Sequence, residues 1–108
     1  MSRSRKKGTV GENFFLDTLR RLFGPQVERA PLKGTLDAGD YVGVPWLHEA
    51  KNTDRPLFQQ WARTCEAKAG WNWVLLWKGD LRSPSGNGPY VLMPLAKYVE
   101  LVEARSPF

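Results

Sequence analysis

"WNWVLLWK", residues 71–78, is the stretch on which the fold turns. The run is of strand length, nearly all apolar, and bounded by Gly70 and Gly79. A segment that short and that apolar reads as a central strand buried on both faces. Successive side chains alternate, so Trp71, Trp73 and Trp77 fall on one face and Val74 and Leu76 on the other. Core, or a subunit interface, is the first reading of these indoles. Base stacking is the alternative, and it suits exposed rings better than strand-central ones.

A strand covered on both faces needs layers around it. Upstream, residues 55–69 carry Leu57, Trp61, Cys65 and Ala69 at i, i+4, i+8 and i+12, the stripe of a helix. "NTD" (52–54) supplies capping residues, Pro56 fits the first turn and Gly70 the end. Before it, "DYVGV" (40–44) and "WLHEAK" (46–51) read as two strands joined by a tight turn at Val44-Pro45. "QVERA" (26–30) adds a short strand that completes a meander, and 31–39 reads as a loop. "GENFFLDTLRRLFG" (11–24) repeats Phe15, Leu16, Leu19, Leu22 and Phe23 at helical spacing. Downstream come a turn-rich loop (79–88), a strand (89–93) and a helix (94–104). The expected fold is α/β, a single domain with a mixed central β-sheet of about five strands flanked by helices. It spans residues 9–108 behind a flexible basic arm, residues 1–8, with no internal repeat or linker.

The chain has 108 residues, enough for one core. No apolar run approaches the roughly 18 residues of a membrane span, and no apolar segment follows the N-terminal charges as a secretory signal requires. A single cysteine, Cys65, precludes an intrachain disulfide and fits a reducing, cytoplasmic setting. It falls on the apolar side of its helix and reads as a small buried hydrophobe. The charge is +5, with 16 Lys and Arg against 11 Asp and Glu. Arg3, Arg5, Lys6 and Lys7 crowd the N-terminus, and Arg20, Arg21, Arg29, Lys33, Arg55 and Arg63 follow. Such a balance suits a polyanion, with a solubilising tail as the plainer reading of the arm.

The chemistry centres on "LHEAKN" (47–52). On a strand, Glu49 and Lys51 share a face. As an exposed pair they are worth under ~1 kcal/mol. If 40–44 and 46–51 form a hairpin, Asp40 comes beside them. Two carboxylates held together repel unless a cation lies between them, and oxygen ligands favour Mg²⁺, with Mn²⁺ a possible substitute. A neighbouring lysine can orient a water and stabilise charge on a phosphate. Asp37 competes with Asp40, which is preferred because it leads directly into a strand. His48 faces away from Glu49 and reads as a packed or surface histidine. Lys78, Gln59 and Gln60 read equally as solvated residues or as helpers of the site.

Asp40…Glu49-Ala50-Lys51 resembles the PD-(D/E)xK nuclease motif, with Gly39 where the motif has proline. "RKKGTVGE", "VERAPLKGTLDAGD" and the order "WNWVLLWK" then "YVLMPLAKYVELV" are most similar to archaeal-type Holliday junction resolvases, over about residues 5–103. The resemblance implies a metal-dependent, structure-specific DNA endonuclease acting on four-way junctions. Asp40, Glu49, the Ala50 carbonyl and Glu12 would hold metal, and Lys51 would position the attacking water. Arg3, Arg5, Lys6, Lys7, Arg29 and Lys33 would hold DNA phosphates. The two-fold symmetry of a junction, and apolar residues to spare on the last helix, imply a homodimer. The alternatives are a non-catalytic DNA-binding protein on a nuclease-like scaffold and a flap or single-strand nuclease.

Overall fold

The computed structural model describes residues 3–31, 39–79 and 88–105, with 3–10 as backbone alone. The chain opens with helix α1, Arg3–Phe23. It starts well ahead of the expected Gly11, so Arg3, Arg5, Lys6 and Lys7 belong to its first turns. Lysine and arginine are good helix formers, and the two glycines of α1, Gly8 and Gly11, cost about 1 kcal/mol each without breaking it. At the far end Gly24, at φ +117°, stops α1 and donates its amide to the Arg20 carbonyl (2.8 Å).

Strand β1 (Glu28–Arg29) pairs antiparallel with β2 (Tyr41–Val42). Strand β3 (Leu47–Lys51), helix α2 (Phe58–Ala69) and strand β4 (Trp73–Trp77) follow, then β5 (Tyr90–Leu92) and helix α3 (Leu95–Arg105). Helix α2 carries the chain between β3 and β4, which are parallel, Glu49 opposite Leu75 and Lys51 opposite Trp77. β5 joins β4 antiparallel, Trp77 opposite Tyr90. Among the described residues the strands thus form two sheets, β1-β2 and β3-β4-β5. The α/β class holds, but the five strands do not make one central sheet.

The expected hairpin of 40–44 with 46–51 is also absent. β2 is two residues long and takes β1 as its partner. Residues 43–46 bend away, with Gly43 at φ +81° and Pro45 lacking the N–H that a ladder needs. The two sheets touch through a parallel bridge between Gly39 and His48, where the Asp40 amide donates to the His48 carbonyl (2.9 Å).

β4 separates two apolar clusters, as its alternation demands. On the α1 side Val74 and Leu76 pack with Phe15, Leu19, Val27 and Tyr41. On the α2 side Trp73, Leu75 and Trp77 pack with Leu47, Trp61 and Cys65. Trp71 lies before the strand and is exposed. The cap of α2 differs from expectation. Leu57 occupies the N-cap position without a side-chain hydrogen bond, and Thr53 instead accepts the Arg55 amide (3.3 Å).

Helix α3 turns its apolar residues outward. Leu95 (76%), Tyr98 (56%) and Val99 (43%) are exposed, and the buried residue is Lys97, at 0%. Its ammonium lies 4.0 Å from the Trp46 ring centroid and 5.3 Å from that of Trp71, and donates to Glu100 Oε2 (3.1 Å). A desolvated cation between two indoles has its strongest cation–π setting, and Glu100 supplies the counter-charge. No described helix is long and apolar enough to cross a membrane.

Candidate active site

Two glycines set the geometry. Gly39 adopts φ +88°, and a Cβ there would lie 2.6 Å from the His48 carbonyl oxygen and 2.8 Å from Leu47 Cδ1. Glycine is the residue that lets the backbone pass this close to β3. It delivers Asp40 onto the strand, where Asp40 Oδ2 accepts the Ala50 amide (2.7 Å). Gly11 does the same for α1. A Cβ there would stand 2.7 Å from the Asn52 side chain, so the helix seats directly on the end of β3 and brings Glu12 with it.

The Asp40 carboxyl lies close enough to those of Glu49 and Glu12 to interact with both. Three carboxyl groups from α1, the β2 approach and β3 are thereby linked. Burial pushes the Asp40 carboxyl above its ordinary range, and the Glu12 charge adds to this against the opposing bonds from Glu49 and the Ala50 amide. Glu49 is buried and pushed up to about 7, first by burial and then by its bond to Asp40 and the Asp40 charge. The pair therefore retains a shared proton well above the pH at which free carboxyls lose theirs.

Each flanking carboxylate also carries a cation. Lys68 donates to Glu49 Oε1 at 2.7 Å, and Arg29 Nε donates to Glu12 Oε2 at 3.1 Å. With these partners in place, no described group of three or more His, Cys, Asp or Glu residues has its donors converged on one point for a metal. The donor set nevertheless fits a hard divalent cation. It consists of oxygens alone, it is partly buried, and its mutual repulsion is what such a cation would relieve.

Lys51 follows Glu49 on the same face, half-buried, its ammonium 5.9 Å from the centroid of Trp61. Ala50 lies between them, its amide committed to Asp40. Among the residues expected to bind DNA, Arg29 is engaged with Glu12. Arg3, Arg5, Lys6 and Lys7 line the first turns of α1, outside the described side chains. Lys33 and the competing Asp37 lie outside the described residues.

The other candidates are accounted for by packing. His48 is buried on the opposite face, its Nδ1 2.9 Å from the Trp46 carbonyl, its ring stacked on Trp46 and edge-on to Phe23. Burial, and then the Lys97 charge, lower its pKa, so it stays neutral and off the site. Gln59 and Gln60 are exposed. Lys78 extends over Phe14, 4.8 Å from the ring centroid.

Lys68 is the residue that sequence reading missed. It lies seven positions after Trp61 and three after Cys65, on the helix face those two bury. A lysine on a buried stripe was the available signal.

Cys65 supports a direct prediction. Its thiol is buried and pushed up to about 11, by burial and then by the Glu49 charge. At pH 8 the folded protein should react with a thiol reagent such as DTNB at under about 1% of the rate seen in guanidinium, since the thiolate is the nucleophile. Rapid labelling of the folded chain would contradict this placement.

No family model, curated protein or solved structure matches the chain.

Proposed function

We propose that the protein is a metal-dependent, structure-specific DNA endonuclease of PD-(D/E)xK type, acting on branched DNA such as a four-way junction. The observation that carries this reading is the linked set of Asp40, Glu49 and Glu12 beside Lys51 at one end of β3. One buried carboxyl with two half-buried ones against it is costly to fold, and perturbed carboxyls of this kind cluster at functional sites. A divalent metal, when bound, would supply Lewis acidity at the scissile phosphate.

Asp40, Glu49 and Glu12 would hold that metal, with the Ala50 carbonyl as a further oxygen. Asp40 is fixed for this task by the Ala50 amide and Glu49 by the strand it belongs to. Lys51 orients the attacking water through its ammonium and balances charge growing on the phosphate. The bases of α1 and of the segment around Arg29 and Lys33 would hold backbone phosphates, contacts that read shape rather than sequence. The net charge of +5 supports a polyanionic partner.

The test is a cleavage panel of duplex, flap and four-way junction DNA with Mg²⁺. Metal-dependent nicking of the junction is expected, retained in Asp37→Asn and lost in Lys51→Met. Junction binding without cleavage would favour the non-catalytic scaffold. Preferential cutting of flaps would favour a flap nuclease.

A homodimer belongs to the same reading. The exposed Leu95, Tyr98 and Val99 of α3 and the exposed Tyr90 and Val91 of edge strand β5 offer apolar surface for it. A two-fold dimer would present two sites to the two equivalent strands of a junction. Light scattering should report about twice the 12.3 kDa chain mass, falling to the monomer mass in Tyr98→Glu. A monomeric wild type would remove the two-site arrangement.

A further inference from the structure

The contact between Lys68 and Glu49 has a role that the proposed chemistry does not assign. Lys68 comes from α2, and its ammonium reaches Glu49 Oε1 at 2.7 Å across 19 residues of sequence. The Glu49 side chain is 9% exposed and that of Lys68 26%. The carboxylate is thus fixed inside the site, while the lysine stem has an open side toward which it can withdraw. Lysine is also the cation best suited to leaving. It is a compact, strongly hydrated charge on a flexible four-carbon stem, unlike the planar fork of arginine.

Resting on the nuclease reading above, we propose that Lys68 is a tethered counter-cation that occupies Glu49 in the metal-free protein and must release it before a divalent metal can bind. Lys68 then sets the metal affinity of the site. A ligand competing with an internal group loses apparent affinity in proportion to how fully that group is engaged. Lys68 also lowers the cost of keeping Glu49 ionised among its carboxylate neighbours, so the empty site is tolerated in the fold.

Calorimetric titration of the full chain with Mn²⁺ at pH 8 tests this. Lys68→Met should bind Mn²⁺ at least about tenfold more tightly than wild type. Arg63→Met, which removes an exposed charge from the same helix, should change affinity by less than about twofold. Tightening confined to Lys68→Met supports the proposal, as does Mn²⁺ binding that appears only in that variant. Unchanged or weaker binding in Lys68→Met overturns it while leaving the nuclease reading intact. Equal tightening in both variants overturns it too, since only the general field would then matter. If neither wild type nor Lys68→Met binds Mn²⁺, both the inference and the metal reading fall. Should Lys68→Met not fold, Lys68→Gln takes its place. The unaltered protein gives an independent readout. The Lys68 ε-methylene NMR signals should shift as Ca²⁺ saturates the site and stay fixed in Glu49→Gln. Signals that stay fixed in wild type while Ca²⁺ binds would overturn the proposal.

Discussion

Glu49→Gln is expected to make the metal-free protein more stable at pH 8 while abolishing cleavage. Glu49 is raised from 4.5 to about 7 in the folded protein. The folded state therefore binds the proton more tightly than the unfolded chain does. The stability linked to that proton is fully present below pH 4.5 and lost as pH rises through about 7. At pH 8 the ionised residue is a burden on the fold, and the amide removes it. A gain of up to about 3 kcal/mol follows from a shift of this size, which already includes the contact with Lys68. Urea melts in EDTA should show the gap between variant and wild type widening from pH 4.5 to pH 8. Because both proteins contain His48, its opposite pH dependence cancels in the difference. Cleavage with Mg²⁺ should fall by at least about a thousandfold, as expected when a group stabilising the transition state is lost. A variant that is both less stable at pH 8 and still active would remove Glu49 from the site.

The second large effect belongs to Gly39. Alanine there meets the His48 carbonyl at 2.6 Å and is strained at φ +88°. The two penalties should together cost about 3 kcal/mol. Relief requires the segment to lift from β3, which draws Asp40 away from the Ala50 amide. Gly39→Ala should therefore lose both stability and cleavage. Gly70→Ala is the control. Gly70 also has positive φ, but its added Cβ meets nothing within 4 Å, so only backbone strain, about 1–3 kcal/mol, is expected there, with cleavage kept. Equal losses in the two variants would show that backbone strain alone, and not the approach to β3, is at work.

How much of this could be read from the chain differs from element to element. The run at 73–77 declared a buried strand because both of its faces are apolar, and both faces are covered. The stripe from Trp61 to Cys65 likewise placed α2 against it. Asp40 comes beside Glu49 as expected, but by another route. Alternation and a Val-Pro turn suggested a hairpin, whereas a positive-φ glycine and a parallel bridge make the contact. Local patterns do not reveal such a crossing, because its partner lies in the backbone of another element.

The two lysines were hidden for a related reason. A lysine is read as solvated unless its counter-charge is adjacent. Lys68 finds its carboxylate 19 residues away, and Lys97 finds indoles at Trp46 and Trp71. Helix α3 has apolar residues to spare and leaves them exposed, and the side it buries is the one that holds a cation.

Helix α3 therefore attaches to the domain in an unusual way. Its one buried side chain is a charge, and the apolar area that usually welds a terminal helix to its core faces outward. Such a helix is expected to open as its own cooperative unit, lifting off without opening the sheet. Its amides would then exchange with deuterium long before those of β4, and each release would uncover Trp46 while the indoles packed on α2 stay covered.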